Sequence, residues 1–195
     1  MMEEMDRRAE KGRRDEDAYF RERDFQLLEG ARQAEKAKAE RAAMGQILGV
    51  DDDAVLTEFQ QIGFDAETVR LLPILPLVRV AWAEGFVTGR ERSAVLEAAK
   101  SIGVAEGSEA YGILQTWLEE PPNDPFYEPC LHLLGKVVRE GQHAPFVGSL
   151  QEIIAACTKI AAVSGGFFGF GVSVSEVEQA VIGRVNAALL AEPSE

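Results

Sequence analysis

Residues 76–100 read PLVRVAWAEGFVTGRERSAVLEAAK, and this stretch decides the fold. An apolar run ends at Ala83-Glu84-Gly85, the chain turns through Phe86-Val87, and a second periodic run starts at Thr88. Glu91 stands three residues after Thr88. That spacing predicts a capping box: the hydroxyl accepts an amide of the new helix's first turn, and the carboxylate reaches back to the amide of the cap. The same arrangement recurs near the end of the chain. Ile153 to Val163 is apolar, Gly165-Gly166 interrupts it, and Ser175 with Glu178 opens a run through Ala180, Val181, Val185 and Leu189. Two helix-turn-helix units joined by two more helices are therefore expected.

The rest of the chain fits an all-α class. Gly49-Val50-Asp51-Asp52-Asp53 lacks the alternating oxygens, central glycine and closing glutamate of a calcium loop, and reads as an N-cap for a helix over Ala54 to Ile62. Gly63 closes that helix and Asp65 opens the next. The run from Val69 to Val80 is apolar almost all round, as a core helix is. Pro73 and Pro76 predict either a kink, or a short helix ending before Pro73 with a fresh start near Pro76. Apolar periodicity then predicts helices over residues 88–103, over Glu106 to Glu119, and from the Pro121–Pro125 turn to Gly141. No useful length of residues 46–190 alternates with period two, which argues against strands.

Charge divides the 195 residues unevenly. Residues 1–45 hold 11 Lys/Arg and 12 Asp/Glu, and the remainder holds 9 and 21. So acidic a remainder repels phosphate backbones, and no nucleic-acid partner is expected. Met1 to Arg14 has no apolar periodicity and reads as disordered or frayed; Asp15 to Met44 is rich in helix formers with few large apolar residues. Two readings stand for this long charged N-terminal helix: a tethered polar helix, or one that docks a partner or forms a homodimer. The domain expectation is an arm over 1–45, a helical domain over 46–191 and a tail over 192–195. Ile153 to Val172 approaches spanning length, but Lys159 and the glycines interrupt it, so no integral membrane span is expected. Cys130 and Cys157 lack metal-ligand spacing and read as small buried hydrophobes in a reducing, cytoplasmic setting.

Recognisable chemistry is sparse. His132 and His143 have no acidic partner close in sequence, no phosphate-binding loop is present, and no catalytic residues or cofactor site are assigned. The chain reads as a non-enzyme. Phe167-Phe168-Gly169-Phe170 reads either as a turn whose rings plug the core or as an exposed docking loop. Glu84 and Glu91 flank one short turn, and two readings stand for them as well. Either Glu91 caps its helix while Glu84 is solvated, or the two carboxylates share Ca²⁺ or Mg²⁺, cations that prefer oxygen ligands.

The segment Ala83-Glu84-Gly85 with Glu91 resembles the Ala-Asp-Gly…Glu signature of the TerB-like, tellurite-resistance family. Residues 164–171, followed by Val174-Ser175 and Glu178, resemble the Gly-Gly-Phe-rich segment of its relatives. The resemblance covers residues 65–190. It implies an all-helical bundle of two related halves and a stress-associated accessory role through protein partners. It further implies acidic residues that bind divalent cations, and Glu84, Glu91 and Glu178 match by position. Glu84 stands where the family has aspartate, and Gly165 where its second acidic residue falls.

Overall fold

The structure is a computed structural model that describes residues 2–140, 149–164 and 174–191, with side chains from residue 19 onward except at positions 140 and 164. Among these residues every regular element is helical. In chain order they are α1 (Met2–Leu48), α2 (Asp53–Ile62), a 3₁₀ helix (Thr68–Ile74), α3 (Leu75–Ala81), α4 (Gly89–Ser101), α5 (Glu109–Trp117), α6 (Asp124–Glu140), α7 (Leu150–Ser164) and α8 (Glu176–Leu190). The all-α class expected from the sequence is the observed one. No described helix is long and apolar enough to cross a membrane.

The chain forms two compact units, residues 1–40 and 41–195. The first is helical from Met2 onward, so the expectation that Met1 to Arg14 is frayed is corrected for residues 2–14: their Glu, Arg, Lys and Ala are good helix formers without any apolar stripe. The last turns of α1 belong to the second unit. Met44 and Leu48 are buried there, and Arg41 donates to Asp53 at 2.7 Å and to Gln60 at 3.0 Å on α2.

Local signals set the boundaries within the second unit. Asp52 caps α2 by accepting from the Ala54 amide at 2.8 Å. Gly63, at φ 106°, ends it with the Phe64 amide bonded back to the Phe59 carbonyl at 2.9 Å. This is a Schellman closure, and its hydrophobic contact is the edge-on pair Phe59–Phe64. Asp65 then starts the 3₁₀ turn, accepting from the amides of Glu67 and Thr68 and from the Thr68 hydroxyl.

The fresh start expected near Pro76 is present, but Pro73 acts differently from expectation. The chain does not end a helix before Pro73; it carries a 3₁₀ helix through Pro73 to Ile74, and an α-helix restarts at Leu75 with Pro76 in its first turn. A proline in a first turn removes an amide that has no intrahelical partner anyway. Most of this stretch is buried, from Val69 through Ala81, and it forms the centre of the core. α3 packs against α7 and α8, α4 against α7, and α6 against α8. α5 starts at Glu109, not at Glu106, because Gly107 turns at φ 83° and Ser108 caps by accepting from the Tyr111 amide. Its N-terminus is also held by Glu67, whose carboxylate accepts the Glu109 amide at 2.7 Å.

Candidate functional site

Both expected capping boxes are present, and they deliver two carboxylates into the interior. In the first, Glu91 accepts from the Thr88 amide and hydroxyl, each at 2.7 Å, and the Thr88 oxygen accepts the Glu91 amide at 3.2 Å. In the second, Glu178 accepts from the Ser175 amide at 2.7 Å, and the Ser175 oxygen accepts the Glu178 amide at 3.2 Å. Glu91 is 3% exposed and Glu178 1% exposed, so neither is a solvated first-turn acid.

The two boxes are electrostatically coupled. Burial raises the Glu91 pKa above the ordinary glutamate value, the Thr88 hydrogen bonds oppose that, and the charges of Glu178 and then Glu84 push it further up. Glu84 is exposed on the turn. The sequence pairs Glu84 with Glu91 and leaves Glu178 apart. In the fold Glu178 acts on Glu91 more strongly than Glu84 does. No local spacing carries that relation, because it depends on where the fold places the first turns of α4 and α8. Among the described residues no group of three or more His, Cys, Asp or Glu could hold a metal ion.

A separate groove of about 430 Å³ lies where α3, α6 and α8 meet, with Arg79, Asp124, Tyr127 and Arg184 on its walls. Arg79 pairs with Asp124 at 2.8 Å and lies over the Tyr127 ring, 4.9 Å from its centroid. Sequence reasoning gave this groove no role. Its one signal is Arg79, a lone cation in an otherwise apolar helix. Among the described residues the Tyr127 hydroxyl has no hydrogen-bond partner; burial pushes its pKa strongly up, with the neighbouring Cys157 adding. Cys130 and Cys157 are both free and buried, as the sequence suggests, and burial pushes each thiol up to about 12.

The first unit presents a different surface. Tyr19, Phe20, Phe25, Leu27 and Leu28 are all more than half exposed within three turns of α1. His132 is half-buried on α6. His143, Gly165 and the Phe167–Phe170 loop lie outside the described residues, as does the tail 192–195. No family model matches this chain, and no curated protein or solved structure shows significant similarity to it.

Proposed function

We propose that the chain is a non-enzymatic, TerB-like binding module, cytoplasmic and stress-associated, that acts through protein partners. The observation that carries this reading is the run of large apolar side chains exposed on the arm, from Tyr19 to Leu28. Large exposed apolar surface marks an interaction site more often than it marks idle surface. The paired capping boxes agree with a bundle of two related halves. The test compares the full chain with one carrying Phe20→Ser, Leu27→Ser and Leu28→Ser, by cross-linking in cells and mass spectrometry. Proteins cross-linked to the native chain should be lost from the variant. An unchanged set would remove the arm from the binding role.

A second reading is a divalent-cation sensor, favoured by the coupling of Glu91 to Glu178 and Glu84. Two carboxylates suit Mg²⁺, which keeps several waters, better than Ca²⁺, which takes six to eight oxygens. Each buried carboxylate also has an oxygen engaged by its cap, which weakens the donor set. Thermal unfolding in EDTA, then with Mg²⁺, Ca²⁺, Mn²⁺ or Zn²⁺, tests it. A cation at a hundred times its Kd stabilises by about 2.7 kcal/mol. A rise that survives Glu84→Gln with Glu91→Gln places the cation elsewhere.

A further inference from the structure

We infer that the arm pairs with the arm of a second copy of this chain, antiparallel, with Leu27 of each seated against Ala31 of the other. The inference rests on the reading of the arm as a contact element and names its partner. Phe20, Asp24, Leu27, Ala31, Ala34 and Lys38 follow alternating spacings of four and three residues, and all six are exposed. Positions of this spacing face the partner helix in a two-stranded coiled coil, and here Phe20 and Leu27 supply the large apolar side chains while Ala31 and Ala34 supply small ones. Tyr19 and Phe25 lie off the seam.

Charge selects the occupant and the direction. Residues 1–45 balance 11 basic against 12 acidic residues, so a second arm is not repelled, whereas a strongly charged partner gains little there. A parallel pair would set Asp24 against Asp24 and Lys38 against Lys38 of the second copy, placing like charges together in the seam. Turning one helix round removes both conflicts. With Leu27 opposite Ala31 of the second copy, Asp24 comes opposite Ala34, and the stem of Lys38 lies along the ring of Phe20. On the flank of the same register Arg21 reaches Glu35 of the second copy, and Leu28 meets its own equivalent. Pairing large with small residues lets the helices approach closely, and it gives Leu28, 58% exposed in the single chain, an apolar neighbour.

The experiment uses the full chain. Sedimentation equilibrium should show a dimer that dissociates on dilution, and Leu27→Asp with Leu28→Asp should make it monomeric while leaving the melting temperature of the helical domain unchanged. Direction and register are read from cysteine variants under oxidised glutathione, the native Cys130 and Cys157 being buried. A mixture of Leu27→Cys and Ala31→Cys chains should form the mixed disulfide, and Leu27→Cys chains alone should not cross-link. Disulfides in Leu27→Cys alone overturn the antiparallel order. A monomer at all concentrations overturns the pairing itself. That result is separable from failure of the binding reading, which the cellular cross-linking comparison decides independently.

Discussion

Gly135 on α6 lies so close to the carbonyl of Leu189 on α8 that a Cβ at position 135 would stand 2.8 Å from the oxygen. The same carbonyl accepts a hydrogen bond from Arg139 at 2.9 Å. A backbone contact of this kind cannot move aside as a side-chain tip can. Gly135→Ala should therefore destabilise the domain by about 1–3 kcal/mol, the range for forcing extra atoms into a packed site. Gly183 on α8 has open space around it and provides the control, where Gly183→Ala should gain about 0.5–1 kcal/mol from helix propensity. Urea unfolding of the two variants measures both. Equal effects of the same sign would mean that the α6–α8 approach is looser than described.

Glu91 gives a pH signature. Its pKa is raised in the folded state, chiefly by burial, so the folded protein binds this proton more tightly than the unfolded chain does. The group's contribution is then fully present below the ordinary glutamate range and is lost as pH rises through the raised value. Glu91→Gln keeps an acceptor for Thr88 and removes the charge on which Glu178 acts. It should flatten that part of the pH–stability curve and cost less than about 1 kcal/mol at neutral pH. Glu91→Ala removes the cap interaction as well and should cost about 1–2 kcal/mol. A Gln variant with the native pH slope would assign the slope to another group.

These two cases also mark what the sequence discloses. Thr88 with Glu91, and Ser175 with Glu178, are local signals three residues apart, so each cap is legible without the fold. That the boxes influence one another is a tertiary fact which no spacing encodes. Pro73 misleads for a related reason: its missing amide costs one backbone hydrogen bond wherever it sits in a helix, and the chain, with Leu71, Leu72 and Ile74 buried, runs a 3₁₀ helix through it rather than stopping. At the arm, the alanines before Met44 hide the point where α1 enters the core, because composition changes later than burial does.

Asp65 carries the opposite sign from Glu91. Burial alone would raise its pKa, but hydrogen bonds from the Thr68 amide and hydroxyl and from the Glu67 amide override it, and the net shift is downward. Its stabilisation is present above the unfolded-state value and is lost as pH falls through the depressed one. Asp65→Ala leaves the amides of Glu67 and Thr68 without this acceptor and should cost about 1–2 kcal/mol near neutrality. The difference from the native protein should shrink in acid. Denaturant melts at several pH values test this, and a difference independent of pH would contradict the charge's role.

Cys130 and Cys157 bear on access to the core. Both are fully buried, on α6 and α7, and burial pushes each thiol up to about 12. The thiolate is the reactive form, so at neutral pH each site holds far less of it than a free cysteine does. Burial of the sulfur blocks the reagent as well. Labelling of the native protein by an aromatic disulfide reagent should be negligible, whereas both cysteines should react at once in denaturant. Slow native labelling should follow the opening of the α6–α7 region, and Gly135→Ala should accelerate it by loosening α6 from α8. Rapid labelling of either thiol in the undisturbed protein would show that the core around Tyr127 admits solvent.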